Sequence, residues 1–342
     1  MLLKEIQAAQ SIRAQVCEVP VPKIGSGEIL VEMKACGLCG TDIEKSKGEY
    51  TSAQPILGHE AVGIVVEVGE GVDNYRMGDR VFPHHHVPCH ECFHCLSGDE
   101  TACNSYRGSN IIPGGFSEFF KVPAWNVSKG GVLRLPSNLG FEEASLIEPV
   151  GCCIRALNKC RASKDDSALV VGAGPVGILH SILLKDRGAK VMISDVSEPR
   201  LRFAQEIKAG HVIDAVRRDV AREVRENTSG RGADLALVAS GSPKAILQAV
   251  ASVRSGGRVC LFGVPAKGSV LEYDLSDLYS AEITLIPSYG ATESETVTAL
   301  SLIEKDGEKF RPLITHAFPI GEFRKAVETS VSGSGMKVVI TP

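Results

Sequence analysis

The spacing of apolar and polar residues divides the chain into two stretches of different character. Up to about Lys121 the apolar positions alternate in short runs between glycines and prolines, at 27–34, 61–69, 80–82 and 116–122. This predicts the short strands of a compact, barrel-like β domain. From about Ser145 strand-like runs alternate with helical periods. Strands are expected over 167–171, 191–195, 211–213, 235–238, 258–262 and 283–287, and helices over 201–209, 220–227 and 245–253. Six strands with intervening helices imply a parallel, doubly wound sheet, so the fold class is α/β. The tail from Glu293 reads as two helical stretches and a final strand at 337–340 that rejoins the first domain. The expected domains are therefore 1–145, 146–290 and a returning segment, 291–342.

The second domain opens with a strand at 167–171, the turn Gly172-Ala-Gly174-Pro175-Val176-Gly177, an apolar helix, and a strand ending in Asp195. Each glycine has a mechanical task. Gly172 lets the strand turn, Gly174 lets backbone approach a pyrophosphate, and Gly177 lets the helix lie close on the sheet. The helix N-terminus then faces the phosphates. A carboxylate at Asp195 accepts from both ribose hydroxyls and repels a 2'-phosphate, which favours NAD over NADP. Arg200 leaves that choice open, since an arginine there stacks on adenine or pairs with a 2'-phosphate.

At 342 residues, two domains are the natural division. The 37 basic and 41 acidic residues give a net charge of -4, which points to neither a nucleic-acid nor a membrane surface. The start, Met1 to Ile6, lacks the features of a signal peptide, and no apolar run approaches the roughly 18 residues of a membrane span, so a soluble cytoplasmic protein is expected. Of eleven cysteines, four cluster as Cys89, Cys92, Cys95 and Cys103. That spacing predicts a closed tetrahedral zinc site holding together a lobe over about 84–107. His90 and His94 lie in the same lobe and are read as exposed, because four thiolates already fill the ion's coordination.

These motifs together resemble the zinc-dependent medium-chain alcohol dehydrogenase family over essentially the whole chain. The matching stretches are Cys39-Gly-Thr41-Asp42, Gly58-His59-Glu60, Gly78-Asp79-Arg80-Val81, the four lobe cysteines, Glu148-Pro149 and Gly172 to Gly177. The resemblance implies a GroES-like β-barrel catalytic domain, a Rossmann domain, and a catalytic zinc between them in addition to the structural one. It places Cys39 and His59 on the metal, with Glu60 and Glu148 sharing the remaining ligand space with water, either one binding directly. Asp42 is read as accepting the other imidazole N–H of His59. Thr41 is read as the substrate's hydrogen-bond partner and the start of a proton relay. Relatives often have a histidine where this chain has Glu44, so Glu44 or water would pass that proton on. Motif correspondence adds cofactor contacts from Phe262, Gly263 and Val264, from Ser288 and Tyr289 near the nicotinamide, and from Lys337 towards the pyrophosphate.

Glutamate at 148, where alcohol dehydrogenase branches tend to have cysteine, resembles the sorbitol (polyol) and threonine dehydrogenase branches. Ser288 departs from the arginine that polyol dehydrogenases commonly place before the tyrosine. His86, in the run His84-His85-His86, resembles a histidine near the cleft of threonine dehydrogenases; the alternative is an exposed or locally hydrogen-bonded run. The expected activity is NAD-dependent oxidation of a secondary alcohol, a polyol or sugar alcohol, with a threonine-like amino alcohol as the second reading. A zinc-free nicotinamide-binding protein is the reading from another class. The family also implies a homodimer or homotetramer.

Overall fold

The computed structural model describes residues 14–46 and 56–342; Met1 to Ile6, read above for a signal peptide, lies outside them. The strands are β1 Ile29–Gly37, β2 Glu60–Val68, β3 Arg80–Pro83, β4 Phe119–Val122, β5 Val132–Arg134, β6 Ser167–Val171, β7 Lys190–Asp195, β8 His211–Asp214, β9 Ala233–Val238, β10 Val253–Leu261, β11 Thr284–Pro287, β12 Ile314–Pro319 and β13 Lys337–Thr341. They fall into two compact units, one running through Gly151 and taking up Gly290–Pro342, the other spanning Cys152–Tyr289. The change of unit lies inside the helix Ile147–Lys159, which leaves Glu148 in the first.

In the first unit β1 organises a seven-stranded sheet of order β12-β13-β1-β2-β3-β5. Strand β2 pairs antiparallel with β1 from Ile29↔Val68 to Gly37↔Glu60. The start of β1 also takes β4, at Ile29↔Val122 to Glu32↔Phe119, and its end takes β13, at Cys36↔Ile340 and Gly37↔Val339. The C-terminal strand thus lies beside the segment that leads into Cys39. Strand β12, within a tail read as helices and one strand, pairs parallel with β13. Alternate residues Ile29, Val31 and Met33 face a core shared with Phe116, Phe120 and Ile340.

The second unit is a six-stranded sheet of order β11-β10-β9-β6-β7-β8 with every pairing parallel. Central β6 and β9 are buried at every position, as strands covered on both faces must be. Edge strands β8 and β11 are partly open. The order reverses at β6, and the glycine turn leaves its carboxyl end at that switch point.

Candidate active site and metal centres

The four lobe cysteines converge. Cys89 Sγ lies 3.8 Å from Cys95 Sγ and 3.6 Å from Cys103 Sγ, and Cys92 Sγ lies 3.6 Å from Cys95 Sγ. Four sulfurs at about 2.3 Å from one tetrahedral ion stand roughly 3.8 Å apart, so the arrangement fits zinc. The N–H groups of Cys92 and Cys89 donate to the sulfurs of Cys89 and Cys103. Burial works against the Cys103 thiolate, yet donors led by the Cys89 N–H hold that thiol down at about 6. Among the described residues, the hydrophobic side chains packed on the cysteines are Tyr106 and Trp125, a core too small to fold the lobe unaided. His90 and His94 are exposed, and His90 Nε2 reaches to 3.6 Å from Glu293 Oε2.

In the same unit the ligand atoms of Cys39, His59 and Glu60 lie within 4.8 Å of one another. Cys39 precedes the short helix Gly40–Ser46, and Glu60 opens β2. Asp42, 1% exposed, ties these segments together: its carboxylate accepts from the N–H groups of Cys39 and Gly58, each at 3.2 Å, and faces His59 Nδ1 at 3.3 Å. This leaves Nε2 of His59 for an ion. Burial pushes the Asp42 carboxyl up, but His59 and the two N–H donors outweigh it and keep it low. Burial also disfavours the His59 imidazolium, which Asp42 and Cys39 nonetheless hold well above the ordinary imidazole value. Thr41 and Glu44 are half-buried on the helix that carries Asp42.

The ammonium of Lys337, a residue expected by motif correspondence to lie towards the pyrophosphate, contacts the Glu60 carboxylate and donates to the Leu38 carbonyl. Both side chains are buried, at 4% and 1% exposure. A Cβ at Gly37 would collide with both, so glycine at the end of β1 makes room for the pair. Burial and the nearby Glu148 push the Glu60 carboxyl up while Lys337 and His59 pull it down, and burial prevails. Glu148 is buried at the head of its helix; its charge acts on Glu60 and Lys337, but it stands outside the three-residue cluster.

The histidine run is not an exposed run. His84 and His85 are buried, and Asn126 Nδ2 donates to both of their carbonyls. His84 Nδ1 faces Glu293 Oε1 at 3.7 Å. The His86 ring packs 5.0 Å from Tyr106, and its Nδ1 lies 2.9 Å from the Ser109 carbonyl. Burial pushes His86 down to about 4. The ring of His85 is 5.1 Å from that of His59. Burial, with the charges of its neighbours, holds His85 well below the ordinary imidazole value.

In the second unit the turn after β6 has the geometry of a phosphate cradle. Gly172 has φ +105°, and a Cβ at Gly177 would strike the Gly172 carbonyl. At Gly174 an added Cβ would meet only the Arg200 guanidinium, at 3.8 Å, so packing alone does not require glycine there. A backbone kept bare facing open space fits the close approach of a pyrophosphate. Pro175 and Val176 open the helix Pro175–Asp186. Asp195 accepts from the N–H groups of Ala173 at 2.6 Å and Ser197 at 2.8 Å, with Arg200 Nη1 at 3.9 Å. Phe262 packs edge-on to buried His180, Gly263 lies against Ser240 backbone, and Val264 and Tyr289 are exposed. Ser288 is buried, and its hydroxyl has no hydrogen-bond partner among the described residues.

Three contacts escaped the sequence reading: Lys337 on Glu60, His85 beside His59, and Glu293 facing His84. The histidine run was the one local signal among them.

Family models match over both units. The alcohol dehydrogenase GroES-like domain matches residues 25–134, and the zinc-binding dehydrogenase domain matches 175–305. A sorbitol dehydrogenase of Halalkalibacterium halodurans is 32% identical over 96% of this chain and 95% of its own length. An L-threonine 3-dehydrogenase of Proteus mirabilis is 29% identical over 98% of this chain and 99% of its own. A zinc-binding dehydrogenase of Sinorhizobium meliloti, solved with NADP, superposes with TM-score 0.86 at 25% identity, covering 98% of each chain.

Proposed function

The chain belongs to the zinc-dependent medium-chain alcohol dehydrogenase family, and from that premise we propose that it oxidises a secondary alcohol of the polyol or sugar-alcohol class with NAD as hydride acceptor. The observation that carries this reading is the convergence of Cys39, His59 and Glu60, with Asp42 holding two of their segments. A thiolate, an imidazole and a carboxylate are a donor set suited to catalytic zinc, with Glu148 as the alternative carboxylate. Zinc bound there supplies Lewis acidity, which lowers the pKa of water from about 15.7 to about 7 and would act likewise on an alcohol.

The protein's own groups do the rest. Asp42 fixes the His59 tautomer, keeping the Nδ1 proton towards itself. Thr41 is assigned to the substrate hydroxyl and takes its proton, which Glu44 or water passes to solvent. The turn from Gly172 to Gly177 holds the dinucleotide, and Asp195 receives the ribose hydroxyls, which disfavours a 2'-phosphate. Phe262, Gly263 and Val264 are assigned to further cofactor contacts, and Ser288 and Tyr289 to the neighbourhood of the nicotinamide.

A second reading, oxidation of a threonine-like amino alcohol, draws on the 29% identity to the Proteus mirabilis enzyme. Absorbance of NADH during incubation of zinc-loaded protein with NAD and polyols, sugar alcohols, cyclitols, threonine and simple secondary alcohols decides between them. Turnover confined to polyhydroxy compounds is expected. Preference for threonine would install the second reading, and no turnover of any alcohol would overturn both.

A further inference from the structure

The chain returns from the second unit to the first between Tyr289 and Gly290. The four-cysteine lobe grips it just past that point. Tyr106, 1% exposed, packs with Cys89 and Cys103, and its N–H donates to the Cys103 sulfur. At the far end of the same residue the hydroxyl donates to the Ala291 carbonyl at 2.8 Å. One tyrosine thus spans from a lobe sulfur to the returning segment.

That segment is fixed on both sides of the bond. Gly290 has φ +65°, and a Cβ there would collide with the Tyr106 hydroxyl, so the backbone conformation and the close approach both call for glycine. Ala291 is fully buried, and a Cβ added at Gly151 would stand 3.3 Å from its methyl group. Thr292 then closes a capping box with Glu295 at the head of the helix Glu293–Phe310. In the first turn of that helix Glu293 faces His84 at 3.7 Å and His90 of the lobe at 3.6 Å. Ser288 and Tyr289 come immediately before this anchored stretch. Because Ala291 is two residues past Tyr289, fixing it keeps Tyr289 within about 7 Å.

We propose that Tyr106 is a positioning residue for the cofactor: through its hydroxyl, the four-cysteine lobe sets the placement of Ser288 and Tyr289 and thereby strengthens binding of the nicotinamide half of the dinucleotide. The inference rests on the proposed dehydrogenase reading and deepens it. A phenylalanine ring would cover the cysteines equally well, so the hydroxyl separates this role from that of a core residue.

The test compares NADH with ADP-ribose, which lacks the nicotinamide, by calorimetric titration into the full chain loaded with zinc. Tyr106→Phe should keep the parental zinc content and raise the dissociation constant of NADH by about 3- to 30-fold, the span of coupling carried through packed contacts. Its affinity for ADP-ribose should stay at the parental value. Gly290→Ala, which presses a Cβ on the same hydroxyl, should give the same pattern, and it decides the matter if Tyr106→Phe fails to fold. Weakening of both ligands by one factor would make Tyr106 a structural residue only and overturn the proposal. Parental affinity for NADH in the variant would overturn it as well, and so would a parent that binds ADP-ribose as tightly as NADH. Each of these outcomes leaves the dehydrogenase reading standing, whereas a parent that binds neither ligand refutes that reading and the proposal with it.

Discussion

The buried pair of Lys337 and Glu60 yields the most quantitative prediction. Lys337→Met keeps the length of the side chain and removes its charge, leaving a carboxylate that is 1% exposed and has Glu148 as a neighbour. Breaking a buried pair by removing one partner costs about 3–5 kcal/mol. Glu60 has one escape, which is to take up a proton. At pH 7 that costs at most about 3.7 kcal/mol, from ~1.36 kcal/mol per pH unit over the ~2.7 units above a free glutamate. The sign follows from linkage: the variant's folded state holds a proton that the unfolded state releases above a pH of about 4.3, so its deficit grows as pH rises. We expect a loss of about 3 kcal/mol at pH 7 that shrinks to about 1 kcal/mol at pH 5. Because bound zinc would itself neutralise Glu60, the comparison belongs in a Cys39→Ser background, followed by urea unfolding at both pH values. A loss below about 1 kcal/mol at pH 7, or one indifferent to pH, would refute the account of Glu60 as a buried charge that depends on Lys337.

Three further outcomes are expected. Cys92→Ser should lower zinc content by about one ion per chain and lower the melting temperature, because the lobe has so little core of its own; full zinc content by mass spectrometry would contradict this. Asp195→Ala should shift the ratio of kcat/KM for NAD over NADP towards NADP by at least about tenfold, or ~1.4 kcal/mol, through loss of the charge that faces a 2'-phosphate; an unchanged ratio would remove Asp195 from ribose selection. Asp234 accepts from Arg254 at 2.7 Å, Arg231 at 3.1 Å and the Ser167 N–H at 2.9 Å. Burial raises its pKa, but these partners outweigh that and hold it low. Its stabilisation is therefore present above a pH of about 4 and lost as pH falls through the depressed folded value, so Asp234→Asn should be less stable at neutral pH and should flatten the acid limb of unfolding. Parallel pH profiles would contradict it.

The sheet of the second unit was legible because β6 and β9 carry the continuous apolar runs 168–171 and 235–238, bounded by turn residues, as strands covered on both faces do. The four-cysteine lobe was legible for a different reason, since thiolate spacing over so short a loop has few physical solutions. The helix Ile147–Lys159 was harder to see: Pro149 and Gly151 interrupt its period near the start, although proline is tolerated in a first helical turn. Strand β5 is three residues long, and β12 sits in a tail whose neighbouring helices dominate the pattern. The remaining gaps are long-range. Nothing local to Lys337 announces Glu60, and nothing around His85 says that Asn126 will clamp its backbone. Such contacts come from tertiary packing, which brings β13 beside β1.

The claim on which the account turns is that the site containing Cys39 and His59 is a catalytic metal centre separate from the four-cysteine lobe. The most direct test is to measure zinc per chain and NADH formation together, in the parent and in Cys39→Ala, with an alcohol that the parent turns over. The account predicts two zinc ions per parent chain, and in the variant one ion, a folded lobe and at least a thousandfold loss of turnover, about 4 kcal/mol of lost barrier reduction. A Cys39→Ala protein that keeps both ions, or that still forms NADH at the parental rate, would contradict it.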